Sequence, residues 1–332
     1  MKWNNQKNWG SKDGIKDAWK KKSGNWGEIN MVLYHLLKKS GVKAYPMMVS
    51  TRDNGILYPQ FPNIFQVDKL VTYIPVDSNT YYVLDASDKY NTYNEVPYEL
   101  LNSYGLPLDK EKNKYDPIFI ENTKPVIQTV FVDAEIKPDG NMKGTTEIND
   151  FGYNKSSNIE LHKTLDDQEY KQYLTDNDNA IKITALKIDN AEIDSLPLAL
   201  TIDFNLGLAA TDDKYIYFNP NLFTNLHKNP FINQTRTSNI DFGYKNLVSI
   251  HGRFKIPEGY KVDFLPRNTN IVTVDKDITF KRLMQEDQGY IEVYYSINYK
   301  KAVYNYDAYP DLFPYFKKMY ELLNEQIVLK KS

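Results

Sequence analysis

Ile29, Val32, Leu33, Leu36 and Leu37 recur at intervals of three and four residues, the apolar stripe of an amphipathic helix. Asn25 and Glu28 in front of it form an N-x-x-E capping pattern, and Gly41 behind it supplies a left-handed C′ residue. An apolar segment over 42–49 reads as a buried strand. Two more strands are predicted at 69–76 and 80–85, joined through the turn formers Asp77, Ser78 and Asn79. A short helix is expected after Pro97. Helices followed by strands in this order predict an α+β unit, a helix packed on a mainly antiparallel sheet.

Across 110–125 the pattern changes and strand signals take over. Residues 126–137 lead through Pro138, Asp139 and Gly140 into 143–150, a hairpin with a turn chemistry of its own. Ile291, Val293, Tyr295, Ile297 and Tyr299 alternate with polar or half-polar neighbours, the period of a strand buried on one face. Further strands are predicted at 181–190, 197–206, 213–218, 246–256, 260–265 and 277–282, with helical patches near 153–163 and 166–174. Strands this short and numerous predict a β-sandwich. A helix over about 310–326 opens with Pro310 and buries Leu312, Tyr315, Phe316, Met319, Leu322 and Leu323. The expected organisation is an α+β domain over 1–115 and a β-sandwich-like domain with a C-terminal helix over 116–332.

Composition narrows the chemistry. Of 332 residues, 41% are hydrophobic and 25% charged, enough for two or three cores. A net charge of -2 leaves no basic excess to neutralise a phosphate backbone, so nucleic acid is not an expected partner. The run Lys20, Lys21, Lys22 reads as a solvated helix face. No apolar run reaches the length of a membrane-spanning helix. The chain has no cysteine, which excludes disulfides, thiolate metal sites and a thiol nucleophile. His35, His162, His227 and His251 show no metal-ligand spacing, and neither a metal nor a cofactor is expected. The 27 tyrosines suit half-buried strands, where an apolar ring carries a wet hydroxyl.

Three stretches of the first domain belong together: Gly24-Asn25-Trp26-Gly27-Glu28-Ile29-Asn30 at the helix start, Phe65-Gln66-Val67-Asp68-Lys69-Leu70-Val71 entering a strand, and Tyr81-Tyr82-Val83-Leu84-Asp85-Ala86-Ser87 ending the next. With Leu36 to Pro46 between them, their order and spacing resemble the transglutaminase-like superfamily. There a cysteine opens the core helix, a histidine heads a strand and an aspartate ends the following one. The arrangement has a physical logic: a helix N-terminus favours a thiolate, an imidazole completes the nucleophile–base pair, and a carboxylate fixes its tautomer. In this chain Trp26 falls at the thiol position and Lys69 at the histidine position, with Asp68 reached by a slip of one residue. Asp85 is retained. An indole is no nucleophile, and a lysine beside an aspartate is held protonated instead of serving as a base.

The resemblance therefore implies a truncated transglutaminase-like (papain-like) core that has lost its catalytic chemistry. Trp26 is expected to fill the vacated cleft, Lys69 and Asp85 to form an ion pair at a surface edge or in the cleft, and Glu28 to serve as a helix cap. Residues 256–262 (IPEGYKV), Leu265-Pro266 and 325–331 (EQIVLKK) resemble a bacterial family with an N-terminal β-domain, a transglutaminase-like core and a C-terminal β-domain of unknown function. Its members are typically exported, which implies a periplasmic or envelope location. Met1 to Gly14 carries no apolar signal-peptide core, so the chain is expected to begin inside the core domain. The leading expectation is a non-catalytic binding or scaffold module for a protein, peptide or glycan, its candidate cleft formed by Trp26, Lys69 and Asp85. Two alternatives are carbohydrate binding by aromatic side chains of the β-domain and a carboxylate-dependent hydrolase using Glu28 with Asp85.

Overall fold

Two helices, α1 (Ile15–Lys21) and α2 (Trp26–Lys39), precede the first sheet in the computed structural model. The structure describes every residue except Lys12, Pro62, Ser78, Asn79, 110–115, Ala209, Asp212 and Asp213. Residues Ser78 and Asn79 of the expected turn therefore lie outside the described residues, as does the first residue of the strand expected at 213–218.

The start of α2 is doubly capped. The Asn25 side chain accepts from the Glu28 amide at 2.9 Å, and the Glu28 carboxylate accepts from the Asn25 amide at 3.0 Å. Its end at Lys39 is followed by Ser40 as the C-cap and then by Gly41, which sits at φ +80°. The apolar stripe is buried only in part. Ile29 and Val32 are in the core, while Leu36 is exposed, because the packed face of α2 is its first two turns, with Trp26, Gly27 and Asn30 facing inward as well.

The five strands that follow are β1 (Tyr45–Val49), β2 (Lys69–Pro75), β3 (Tyr81–Leu84), β4 (Ser103–Pro107) and β5 (Ile118–Ile120). They form an antiparallel sheet in the order β3-β2-β1-β4-β5. Met47, Val49, Val71, Val83, Leu100 and Ile120 make its core. The helix expected after Pro97 is a single 3-10 turn, Tyr98–Leu100. Only a few residues separate Pro97 from β4, and burial of Leu100 and Leu101 turns the chain directly into the sheet.

The chain divides into the units Met1–Thr123 and Lys124–Ser332. The expected boundary lay after residue 115, within the residues not described. The later boundary has a simple cause: β5 pairs with β4 and so completes the first unit's sheet.

The second unit opens with the hairpin β6 (Val126–Ile136) and β7 (Asn141–Asp150), then α3 (Tyr153–Thr164) and α4 (Asp167–Leu174). Strands β8 (Ile181–Asp189), β9 (Leu198–Gly207) and β10 (Tyr215–Phe218) follow. The longer elements of the remainder are β11 (Asn246–Lys255), β12 (Tyr260–Phe264), β13 (Thr269–Val272), β14 (Ile278–Asp287), β15 (Tyr290–Tyr299), α5 (Tyr309–Leu323) and β16 (Ile327–Lys331). Eight of the strands form one sheet in the order β8-β9-β7-β6-β11-β15-β14-β13. Its central pair, β6 and β11, is parallel, and every other pair is antiparallel.

A second sheet sets β16 between β10 and β12, with the short strand Ala210–Thr211 at the edge beyond β10. One core joins the inward faces of both sheets to α5: Ile291, Val293, Tyr295 and Ile297 from β15, Ile327 and Leu329 from β16, and Phe316 and Met319 from the helix. Strand β16 is absent from the expected list of elements, where the last helix ran to 326. In the structure the Asn324 side chain donates to the Tyr320 and His227 carbonyls and stops α5, and the chain then enters the second sheet. Because β16 is the central strand of that sheet, Leu329→Ala should cost the second unit about 2–5 kcal/mol. Urea unfolding followed by circular dichroism measures this, and a loss below about 1 kcal/mol would mean that the strand is not part of the core.

Candidate functional site

Trp26 is the first residue of α2 and is 6% exposed. The segment before α1 lies across it. Lys2–Trp3 pairs in parallel with Ser23–Gly24, the Trp3 ring stacks on Trp26 with centroids 6.0 Å apart, and the Gly27 amide donates to the Asn8 carbonyl at 3.1 Å. A Cβ at Gly27 would stand 2.0 Å from the Trp9 carbonyl oxygen, so the crossing requires glycine. The Asn25 side chain donates to the Gly10 carbonyl at 2.7 Å, and Ser11 donates to Glu28 at 2.7 Å, which ties down the same segment.

Beneath the indole lies Lys69, the first residue of β2, with its side chain 2% exposed and its Nζ 4.2 Å from the Trp26 ring centroid. The ammonium forms an ion pair with Asp85 Oδ2 at 2.5 Å and a second with the Glu99 carboxylate. Asp85, just past β3, has no exposed side-chain surface. Its Oδ1 accepts from Asn30 Nδ2 at 2.8 Å, from the Ser87 amide at 2.9 Å and from Ser87 Oγ at 2.5 Å. Asn30 completes the connection: its Oδ1 accepts from the Ala86 amide at 2.8 Å, which ties α2 to the end of β3.

The expected pair of Lys69 and Asp85 thus forms, but not at a surface edge. It is buried, because the N-terminal segment and Trp26 cover it. Burial alone would lower the Lys69 pKa, yet the two carboxylates outweigh it and hold the ammonium above its ordinary value. Burial acts to raise the Asp85 pKa, and Lys69 with the bonds from Ser87 and Asn30 overcomes it, leaving the group below the usual carboxylate range. Glu99 moves the other way. Burial, with repulsion from Asp85 and Asp88, raises its pKa against the attraction of Lys69.

Asp68 faces away from this cluster, as alternation along an extended chain requires. Its carboxylate accepts from the Thr51 amide at 2.8 Å and from the Thr51 hydroxyl at 2.6 Å, closing the loop between β1 and β2. Glu28 spends its oxygens on the Asn25 amide and on Ser11. Of the histidines, His35 lies against Tyr34 on the far part of α2, and His251 meets Glu292 in the second unit. Among the described residues no group of three or more His, Asp or Glu is placed to hold a metal ion, and no helix is long and apolar enough to cross a membrane.

Two members of the cluster escaped the sequence reading. Asn30 carried a signal, since it follows Trp26 by four residues and so shares its face of the helix. Glu99, near a predicted helix start, carried none.

Comparisons with known proteins reach the second unit by sequence and the chain by fold. Residues 214–329 match the model of a domain of unknown function with a solved structure, DUF3858. That match includes the stretches at 256–266 and most of the one at 325–331. It begins at β10 and so leaves out β6 to β9, which share the eight-stranded sheet with the matched strands β11, β13, β14 and β15. No curated protein matches the sequence. A crystal structure of a Parabacteroides distasonis protein described as a "putative protease" is similar in fold, with a TM-score of 0.51 and 15% identity. The likeness covers 95% of this chain and 46% of that one, so this chain spans about half the length of its structural relative.

The ion cluster predicts an asymmetric response to mutation. Lys69→Met leaves the Asp85 carboxylate buried without its cation and should cost the first unit about 3–5 kcal/mol. Adding Asp85→Asn should recover part of that loss, because the two changes share one interaction. Tryptophan emission is a direct readout, since Trp3, Trp9, Trp19 and Trp26 are all in this unit. Additive losses in the double variant would contradict the pairing.

Proposed function

We propose that the first unit is a transglutaminase-like core without catalytic chemistry, and that the protein acts as a binding or scaffold module of the bacterial cell envelope for a protein, peptide or glycan. The observation that carries this reading is the Lys69 ammonium held between Asp85 and Glu99 under the Trp26 indole. A nucleophile needs an activating base, and a base needs a free lone pair near neutral pH. Lys69 offers none, and Trp26 stands at the helix N-terminus where a nucleophile would be placed. An envelope location rests on the resemblance of the core and of the 256–266 and 325–331 stretches to exported bacterial proteins.

The other readings draw less support. A carboxylate pair of Glu28 and Asp85 lacks free groups, since each carboxylate is engaged as described above. Carbohydrate binding on the β-domain calls for a shared aromatic face. The exposed aromatic residues of that unit, Phe151, Tyr173, Phe264, Tyr294 and Tyr306, come from separate elements.

The test has two arms. Incubation with peptide-glutamine and peptide-amide substrates is expected to give no turnover above background, and robust turnover abolished by Asp85→Ala would overturn the proposal. The double variant Trp26→Cys with Lys69→His is expected to gain an alkylation-reactive thiol at neutral pH. An inert thiol in a folded variant would contradict the assignment of these positions to a transglutaminase-like frame.

A further inference from the structure

The second unit buries a carboxylate with no cation beside it. Asp150, at the end of β7, is 1% exposed. Gln128 Nε2 donates to its Oδ1 at 2.8 Å and Asn158 Nδ2 to its Oδ2 at 2.7 Å. Among the described residues no Lys, Arg or His pairs with it, and burial pushes its pKa up against those two amides. The donors are themselves fixed. Asn158 Oδ1 accepts from the Tyr170 hydroxyl at 2.6 Å, which obliges the amide to present its NH2 to Asp150. An ionised carboxylate takes about four hydrogen bonds, so acceptor capacity remains on both oxygens.

Asp150 lines an open pocket of about 250 Å³ whose lining residues all belong to the second unit. Tyr173 of α4 and Tyr244 are among the residues that line it, as are Phe223 and Asn225. These last two residues sit at φ +59° and +53°, in the left-handed region. For a bulky ring such as Phe223 that conformation is strained, and strain of this kind gathers at binding sites. The volume suits a side-chain-sized group better than a drug-sized ligand. A buried anion beside aromatic rings is a setting that stabilises an alkylammonium, by ion pairing and by attraction to the ring faces.

We propose that this pocket binds a primary ammonium on a flexible aliphatic stem, of the kind a lysine side chain presents, with Asp150 as its counter-ion and Tyr173 and Tyr244 flanking it. The site is separate from the cluster around Lys69 and does not depend on the reading of the first unit. Binding would keep Asp150 ionised in place of the proton that burial favours, so uptake of the ammonium should release protons as the pH falls toward the raised pKa of the carboxyl.

The probe is N-acetyl-lysine N-methylamide, titrated into the full chain by calorimetry and followed by NMR, with the norleucine analogue as the uncharged control. The lysine probe should bind with a Kd of about 1 mM and the norleucine probe at least about tenfold more weakly. Asp150→Asn, nearly isosteric, should weaken the lysine probe by about tenfold or more while leaving the circular dichroism unchanged. Tyr173→Leu, at an exposed position, should weaken it as well and serves if the Asp150 variant fails to fold. Equal binding of the two probes, full affinity in either folded variant, or no binding of the lysine probe up to about 50 mM would overturn the proposal.

Discussion

Removing an ammonium from water is expensive, and the first unit is organised around the cost of doing so at Lys69. One carboxylate at ion-pair distance would leave part of that desolvation uncompensated. The structure supplies two, Asp85 from the end of one strand and Glu99 from the turn before another, and caps them with the face of an indole. Each partner is held in turn: Asp85 by Asn30 and Ser87, and Trp26 by the segment that crosses over Gly27. The helix start, the sheet and the N-terminal segment are therefore tied together at one buried point. Within it the Lys69 ammonium has two carboxylates beside it, and Asp85 has an ammonium and three hydrogen-bond donors.

The second unit solves a different problem. A hairpin, β6 and β7, and a later strand, β11, meet as a parallel pair in the centre of one wide sheet, so residues more than 100 apart in sequence share a core. Closing strand β16 covers the other side through Ile327 and Leu329, and α5 fills the remaining face with Phe316 and Met319. Two of its buried charges are answered: Arg282 pairs with Glu325 and donates to the Arg267 and Leu322 carbonyls, and the Lys155 ammonium donates to the Asn190, Ile193 and Leu196 carbonyls. Asp150 differs from both, since its hydrogen bonds come from two neutral amides. The contrast with Asp85, which has a cation at 2.5 Å, is a contrast between a completed electrostatic site and an open one.

Much of this was legible from periodicity and capping chemistry. The cap at Asn25 and Glu28, the stop at Gly41 and the alternation along β15 are local signals, and local physics decides them. The juxtaposition of Trp26, Lys69 and Asp85 was legible only through the spacing of three distant motifs. Its burial was not, since that depends on a segment of low periodicity crossing Gly27. Strand β16 was hidden because its alternation is brief and follows an uninterrupted helical pattern, and only pairing with β10 and β12 makes it a strand. The parallel pairing of β6 with β11 and the enlistment of Glu99 are long-range choices of the same kind.

The charge state of Lys69 is the property on which the buried cluster most directly depends. Nitrogen-15 NMR of its Nζ across a pH titration reads that state at the atom itself. The expected result is an ammonium protonated through neutral pH that deprotonates only above its ordinary value of about 10.4. The stability it contributes should be complete below that ordinary value and should be lost as pH rises through the elevated one. A Lys69 amine already neutral near pH 7 would contradict the account, because a free lone pair beside Asp85 is what a working base requires.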